Sequence, residues 1–245
     1  MKNKIYIFTL MVLIVILAVS TYFIVSNKME NKKQEDVFND IVSVVETQSN
    51  NGDKKLNGYM ELKSQNADFV GWIKIDDTNI NYPVMQSGTP NFYLRKNFNK
   101  EYSYYGTPYI SELCNADKSD NLIIYAHNMK NHQMFGDLEK YKSKDFYNSH
   151  RYIQFDTLSN KGTYEIISVF KTTLDGFDYQ NYTDFTDKKQ FNTFTEKCRS
   201  LSLYDTETNS AYGDRLITLS TCEYSQKDGR LVVVAKQTEV SNYEA

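Results

Sequence analysis

The sequence predicts a mainly β protein, a closed or nearly closed barrel of about eight short strands that is preceded by helices. Three observations predict this fold. Short strand-like runs recur along the chain after residue 69, and helix-length segments separate few of them. The 20 tyrosines and 14 phenylalanines, against 10 glycines and 3 prolines, indicate a packed globular body. About 220 residues follow the N-terminal segment, which suits one domain with a substantial core.

The N-terminal segment predicts a membrane anchor. Ile5 to Val25 contains no charged side chain, and about 20 apolar residues are enough to cross a bilayer as a helix. Ala18-Val19-Ser20 has the spacing of a signal cleavage site, but the apolar run continues beyond it, which favours an uncleaved anchor. Lysines on both sides compete under the positive-inside rule, so we place the N-terminus inside because a large domain follows a short signal-anchor.

This interpretation divides the chain into four parts. Residues 1–4 form a cytoplasmic tip, residues 5–25 cross the membrane once, residues 26–36 form a polar stalk, and residues 37–245 form an extracellular domain. The expected location is therefore the cell membrane, with the domain outside. The membrane itself is an expected partner, through residues 5–25.

Two helices are predicted before the strands. Apolar residues recur at helical spacing between positions 37 and 45 and predict an amphipathic helix, which the polar residues 50–53 would end. A second, shorter helix is predicted around Leu56, Tyr59 and Met60. Both are expected to pack on the domain.

Strand signals follow in eight segments. These are Phe69–Ile75, Ile80–Met85, Thr107–Ser111, Leu122–Ala126, Tyr152–Phe155, Tyr164–Thr172, Leu216–Thr221 and Leu231–Lys236. Pro83 predicts an edge or a bulge in the second of them, because proline cannot donate a ladder hydrogen bond.

One connection is too long to be a bare loop. More than forty residues separate Thr172 from Leu216, which is unusual in a compact domain. The connection predicts a helix preceded by a cap at Thr186-Asp187, because apolar residues fall on one helical face. These residues are Phe191, Phe194, Cys198 and Leu201. Cys198 is therefore expected to be a buried structural thiol.

Composition excludes several functions. The formal charge of −3 and the absence of clustered lysine and arginine argue against a nucleic-acid partner. The three cysteines, Cys114, Cys198 and Cys222, give no complete disulfide framework. No Cys/His spacing is typical of a zinc site, so we expect neither a metal nor another cofactor.

Three polar residues at predicted strand ends indicate acyl transfer through a thioester. Cys222 ends one apolar run, Arg230 precedes the next run, and His127 ends a run about a hundred residues upstream. A nearby cation favours the thiolate of a cysteine, and a guanidinium can face an oxyanion. An imidazole can protonate a leaving amine and then accept a proton from the incoming nucleophile. The three side chains could meet at one edge of a sheet.

Each of these residues also has an ordinary structural explanation. Cys222 could be a small buried hydrophobe, His127 could cap a turn, and Arg230 could pair with Glu223 or Asp228. Other cysteine chemistries fit less well. Seven residues lie between the cysteine and the arginine, without the glycine-rich loop of a tyrosine phosphatase. A papain-like protease carries its cysteine before its histidine, at the start of a helix.

Several motifs resemble one known family. The chain resembles a sortase, specifically a class B sortase, in Thr218-Leu219-Ser220-Thr221-Cys222 followed by Arg230, with Tyr125-Ala126-His127-Asn128-Met129 upstream. Further resemblances lie in Asn66–Ile73, Ile80–Val84, Asn91–Leu94 and Met134–Leu138. The extra N-terminal helices and the helix-bearing insertion before the cysteine strand are similar to class B features.

The resemblance implies a closed eight-stranded sortase-type β-barrel and a membrane-anchored cysteine transpeptidase on a Gram-positive surface. Cys222 would be the nucleophile that attacks the threonine carbonyl of a C-terminal sorting signal, His127 the general acid and base, and Arg230 the oxyanion stabiliser. The implied partners are surface proteins that carry the signal and an amine of a peptidoglycan precursor.

The resemblance leaves the substrate open. It implies peptide contacts at Ser220, Glu223, Asn91 and Leu94, and no calcium requirement. The sorting motif is either Asn-Pro-x-Thr-Asn-like or Pro-x-Thr-Gly-like. The alternatives are a thiol peptidase that acts mainly by hydrolysis, a sortase that links pilins, and a sortase-like binding protein without turnover.

Overall fold

Eight strands close into one barrel in the computed structural model, which describes residues 2–47 and 53–243. The strands are β1 (Phe69–Lys74), β2 (Asn81–Met85), β3 (Tyr109–Ile110), β4 (Asn121–Tyr125), β5 (Tyr152–Thr157), β6 (Asn160–Thr173), β7 (Leu216–Glu223) and β8 (Gly229–Asn242). Around the barrel they follow the order β1-β2-β3-β4-β7-β8-β6-β5. The closed eight-stranded barrel is therefore confirmed, and each predicted strand segment overlaps an observed strand.

The helices also follow the prediction. They are α1 (Lys2–Thr47), α2 (Asp53–Gln65), α3 (Lys144–Ser149) and α4 (Lys188–Leu201), with short 3-10 helices at Phe92–Arg95, Gly136–Lys142 and Tyr179–Asn181. The chain divides into two compact units, residues 1–40 and residues 41–245, and the barrel belongs to the second.

Most of helix α1 belongs to the first unit. Its residues from Ile5 to Val25 are exposed, and Asn3–Glu46 is long and apolar enough to cross a membrane. The helix includes the predicted stalk at residues 26–36 and the predicted amphipathic segment. The predicted break at residues 50–53 lies largely outside the described residues, and the boundaries of the four predicted parts stay predictions.

Helix α2 is fastened to the barrel by one buried carboxylate. Asp156 on β5 accepts a hydrogen bond from the Tyr59 hydroxyl at 3.1 Å and forms an ion pair with Lys55. The Tyr59 ring also stacks on Trp72 of β1, with 6.0 Å between ring centroids. A buried carboxylate is tolerated when it is paired in this way.

The long connection between β6 and β7 packs on the barrel through α4. Asp187 caps this helix by accepting a hydrogen bond from the Gln190 amide at 2.8 Å, as the sequence predicts. Phe191, Phe194 and Cys198 are buried, so the predicted apolar face is confirmed for these three residues. The Ser168 hydroxyl on β6 donates to the Cys198 carbonyl at 2.7 Å and ties the helix to the sheet.

The second strand, β2, contains the predicted irregularity. Pro83 pairs with Trp72 on β1, whereas β2 pairs with β3 through Met85 and Tyr109. Pro83 therefore lies beyond the β2–β3 ladder, at a local edge. No ladder hydrogen bond is lost there, although proline has no N–H to donate.

The registers of β4, β7 and β8 determine which side chains meet at the barrel edge. Strand β4 is parallel to β7, with Tyr125 opposite Ser220. Two residues beyond this pair in each segment, His127 comes level with Cys222. Strand β8 is antiparallel to β7 and places Arg230 directly opposite Cys222. One edge of the barrel thus receives all three predicted residues.

Candidate active site

The three predicted strand-end residues line one cleft. Cys222, His127 and Arg230 are in the wall of a cavity of about 370 Å³. The other lining residues are Asn91, Leu94, Tyr109, Ser111, Glu112, Leu113, Tyr125, Ala126, Leu174, Gln180, Ser220 and Thr221. The lining mixes apolar side chains with a few polar groups, which is typical of sites that bind an organic ligand.

Cys222 is the accessible thiol of the chain. It is partly exposed, whereas Cys114 and Cys198 are buried, and all three are free. Burial raises the pKa of the Cys114 thiol to about 11 and raises the pKa of Cys198 well above its usual value. Because the thiolate is the nucleophile, the two buried cysteines are inert at neutral pH.

His127 is half-buried and is oriented by a backbone carbonyl. Its Nε2 lies 2.8 Å from the Leu94 oxygen. A carbonyl only accepts, so Nε2 carries the proton and Nδ1 is the acceptor in the neutral ring. Burial lowers the pKa of His127 below 6.5; the Leu94 bond opposes this shift and the charge of Arg95 adds to it. The neutral imidazole therefore predominates at neutral pH.

Arg230 lies in the cleft wall and pairs with neither predicted neighbour. Its Nη1 donates to the Gly229 carbonyl at 2.9 Å. Glu223 pairs instead with Lys142, and Asp228 forms no ion pair with Arg230. The remaining donors of the guanidinium can therefore be directed to a negative charge that develops beside Cys222.

A polar network behind the cleft joins the ends of β4 and β7. The Asn128 side chain donates to the Cys222 carbonyl at 2.8 Å and to Glu139 at 2.9 Å. Lys142 then bridges Glu139 and Glu223, with both N–O distances 2.6 Å. Asn128 follows His127 in the sequence motif, but Glu139 and Lys142 carry no sequence signal that connects them to the site.

Glu223 corrects one sequence-based expectation. Its carboxylate was expected to contact the peptide, but it is buried beside Lys142 and Ser225 and is not among the residues that line the cleft. Successive residues of a strand point to opposite faces, so Glu223 faces away from the side on which Cys222 lies. Burial would raise the pKa of Glu223, but hydrogen bonds from Lys142 and Ser225 lower it to about 2.

The other three predicted peptide contacts do line the cleft. Ser220 lies two residues before Cys222 on the same strand face, and its hydroxyl shares a 2.7 Å hydrogen bond with Tyr179. Asn91 has a left-handed backbone (φ 55°) and accepts a hydrogen bond from Tyr109 at 2.8 Å. Leu94 lines the cleft together with His127. Their roles as peptide contacts stay predictions.

Comparison with known proteins identifies the family and supports the fold. Residues 73–238 match the family described as the Sortase domain. The chain belongs to the sortase family. It is 33% identical to Sortase B of Staphylococcus aureus over 237 residues, which is 94% of this chain and 95% of that protein. It is 34% identical to Sortase B of Listeria monocytogenes over 216 residues, covering 84% and 86% of the two chains.

Solved sortase B structures agree with this assignment. The Staphylococcus aureus sortase B–substrate complex superposes with a TM-score of 0.80 at 31% identity, covering 87% of this chain and 100% of that chain. A mutant form of Clostridium perfringens sortase B gives a TM-score of 0.77 at 30% identity, covering 82% and 97%. The class B resemblance is thus confirmed, and the chain is a cysteine transpeptidase of the type that sorts proteins to the cell wall.

No group of three or more His, Cys, Asp or Glu side chains arranged to hold a metal ion occurs among residues 2–47 and 53–243. The expectation that the chemistry uses no metal and no cofactor stays a prediction.

Alkylation should distinguish the three cysteines. Iodoacetamide at about pH 8 should label Cys222 in the native full-length protein and leave Cys114 and Cys198 unmodified, because the two buried thiols stay protonated. Mass spectrometry of the digested protein measures each site. Cys222→Ala should abolish both labelling and peptide cleavage, whereas the control Cys114→Ala should retain both. Labelling of Cys114 as fast as Cys222 would contradict the assignment.

The Glu223 carboxylate should make stability depend on pH. Its pKa is lower in the folded chain than the ordinary value of 4.5, so its stabilisation is present above about pH 4.5 and is lost as pH falls towards 2. Glu223→Gln should cost about 1–3 kcal/mol at neutral pH, because Lys142 loses a buried partner. The difference in Tm from the unmodified protein should shrink below about pH 4.5.

Glu207 provides the matched control for this experiment. Its side chain is 74% exposed and lies 4.0 Å from Lys144, so Glu207→Gln should leave Tm nearly unchanged at every pH. Equal effects of the two substitutions would show that burial of Glu223 contributes nothing. A Tm difference for Glu223→Gln that stays constant from neutral to acid pH would contradict the lowered pKa.

Proposed function

We propose that this protein cleaves a C-terminal sorting signal after threonine and transfers the new threonine carboxyl group to an amine of peptidoglycan. The observation that carries the proposal is the meeting of Cys222, His127 and Arg230 in one cleft. A thiol can form the thioester, an imidazole can move the protons, and a guanidinium can stabilise the oxyanion.

The first half of the reaction forms the thioester. The Cys222 thiolate attacks the threonine carbonyl. The Arg230 donors stabilise the negative charge that develops on the oxygen of this carbonyl. His127 gives a proton to the departing amine as the peptide bond breaks. The carbonyl oxygen of Cys222 stays bonded to Asn128, which holds the end of β7 in place during the reaction.

The second half transfers the acyl group. An amine attacks the thioester carbonyl, and the sulfur of Cys222 leaves as the thiolate. The burial that lowers the pKa of His127 favours the neutral ring, whose free nitrogen can take the proton from this amine. The same burial makes the protonated form, which serves the first half, a minor species at neutral pH.

The cleft supplies the donor site in this proposal. Ser220, Asn91 and Leu94 line it and are the side chains that we assign to the sorting peptide. The similarity to a Staphylococcus aureus sortase B that was solved in complex with its substrate supports this assignment. Both candidate signals, Asn-Pro-x-Thr-Asn-like and Pro-x-Thr-Gly-like, present a threonine carbonyl to Cys222.

We assign the N-terminal helix to the membrane. In this proposal residues 1–4 stay in the cytoplasm and residues 5–25 span the bilayer. Residues 26–36 are the stalk that connects the anchor to residues 37–245, which act at the outer surface. The length and apolar composition of Asn3–Glu46 support a spanning helix. Proteins destined for the cell wall emerge at that surface, so an anchored transpeptidase meets them as they are exported.

The experiment that tests the proposal is a partition assay. Full-length protein in detergent is incubated with peptides of both signal types, with and without a small amine such as triglycine. The products are then identified by mass spectrometry. We expect an amide-linked product that replaces the free acid when the amine is added. Free acid alone, across a panel of amines, would make the protein a thiol peptidase.

Arg230→Lys should show the oxyanion role within the same assay. Turnover should fall about 10²–10³-fold, with little change in KM, because lysine keeps the charge but loses the planar pair of donors. The matched control is Arg199→Lys, at an exposed arginine of α4 that donates to Asn209. Near-normal turnover of Arg230→Lys would reduce Arg230 to an ordinary charged residue.

The anchor is tested by fractionation. The full-length protein should sediment with membranes and retain Met1, because the apolar run continues past Ala18-Val19-Ser20. A truncated protein that begins at Ser26 should stay in the soluble fraction and still cleave the peptide. Recovery of a mature protein that begins at Thr21 would show a cleaved signal instead.

A further inference from the structure

The site contains a second guanidinium that the reaction above does not use. Arg95 directly follows Leu94, the residue whose carbonyl oxygen lies 2.8 Å from Nε2 of His127. Arg95 is exposed, and among the described residues no carboxylate lies within ion-pair distance of it. Its positive charge is nevertheless close enough to act on the His127 imidazole.

Arg95 is held in place without being neutralised. Its Nη1 donates to the Tyr104 carbonyl at 2.8 Å, and its guanidinium lies 4.9 Å from the centre of the Tyr104 ring. These contacts use one donor and one face of the group, and an arginine has five donors in all. The remaining donors are free for a ligand, and the stacking reduces the entropy lost when a ligand binds.

Arg95 borders the cleft through Leu94 without lining it. Leu94 lines the cleft and Arg95 does not. The neighbouring surface is aromatic, because Tyr104 is 56% exposed and Tyr224, two residues after Cys222, is 69% exposed. The Tyr224 hydroxyl donates to the Asn128 carbonyl at 3.1 Å. Arg95, Tyr104 and Tyr224 are therefore exposed side chains that flank the segments of His127 and Cys222.

We propose that Arg95 binds a carboxylate of the acceptor, so that the protein selects an amino-acid amine with a free carboxylate near the nucleophilic nitrogen. This inference rests on the proposed transfer to an amine. A guanidinium recognises a carboxylate by paired, charge-assisted hydrogen bonds, and no described carboxylate occupies this one. Arg230 cannot serve the same purpose, because it faces the acyl group in the cleft.

The bound carboxylate would orient the amine for attack. The neutral amine forms a bond to the thioester carbonyl carbon, the carbon–sulfur bond breaks, and the Cys222 sulfur leaves with the electron pair. One proton of the amine passes to His127, and the product is an amide. Arg95 exchanges no proton in this step and acts as a specificity-determining residue.

A competition between two matched amines tests the proposal. Diaminopimelate and cadaverine share a five-carbon chain between two amines, and only diaminopimelate carries a carboxylate on each amine-bearing carbon. Full-length protein in detergent receives a sorting peptide and both amines together, and mass spectrometry gives the ratio of the two ligated products. Both amines meet the same acyl-enzyme, so effects on folding, on peptide binding or on His127 cancel in the ratio.

Arg95→Gln should lower the diaminopimelate-to-cadaverine ratio roughly twofold to fivefold, the range for a charge pair at an exposed site. Arg95→Lys should retain part of the preference, and the control Arg199→Gln should retain all of it. Raising salt from about 0.01 M to about 1 M should move the ratio of the unmodified protein towards that of Arg95→Gln, because the Debye length falls from ~30 to ~3 Å.

Three outcomes would overturn the inference. An unchanged ratio in Arg95→Gln would show that Arg95 does not select the acceptor. An equal loss of both products would assign Arg95 a structural role through Leu94 and His127. Free acid alone from the unmodified protein, with neither amine attached, would overturn the transfer reaction itself, so this result is distinguishable from the first two.

Discussion

The parallel pairing of β4 with β7 is the constraint on which the site depends. Tyr125 lies opposite Ser220, and this register brings His127 level with Cys222. A shift of one residue would turn each side chain of β7 to the opposite face of the sheet. The register is held by the apolar pattern, since both strands are buried, and by the Thr221 hydroxyl, which donates to the Ala126 carbonyl at 2.8 Å. Positions about a hundred residues apart in the chain thereby become one site.

The polar network behind the cleft protects this register where the ladder ends. The Ala126 amide still donates to the Ser220 carbonyl at 3.4 Å, and two residues further on the Asn128 side chain donates to the Cys222 carbonyl. Asn128 is held by Glu139, and Lys142 links that carboxylate to Glu223. Each buried polar group has a partner of opposite charge or complementary hydrogen bonding, which is the condition under which a buried network is favourable. The same charges that stabilise the strand ends are therefore kept out of the cleft.

Separation of charge also governs the chemistry. The carboxylates of Glu139 and Glu223 lie behind β7 with Lys142, whereas Arg230 lines the cleft together with one acidic residue, Glu112. A carboxylate directly beside Cys222 would oppose both the thiolate and the oxyanion, so the burial of Glu223 on the other face of β7 favours the reaction. Burial of His127 keeps its ring neutral despite the hydrogen bond to Leu94, which leaves one nitrogen able to accept a proton. The fold thus distributes acid, base and cation over different elements.

The sequence by itself determined the elements and singled out the three residues that meet in the cleft. Apolar alternation predicted the eight strands, helical spacing placed Phe191, Phe194 and Cys198 on one face of α4, and strand-end positions together with the motif identified Cys222, His127 and Arg230. These signals are local, because hydrophobic period, caps and motifs act over a few residues.

Only the tertiary structure decided which polar groups face the cleft. Glu223 is adjacent to Cys222 in the chain but faces the opposite side of the sheet, next to Lys142. Glu139 and Arg95 lie in two short 3-10 helices, Gly136–Lys142 and Phe92–Arg95. No spacing in the sequence connects these helices to the strand ends. Contacts between distant segments depend on register and closure of the barrel, and side-chain direction follows from them rather than from residue type.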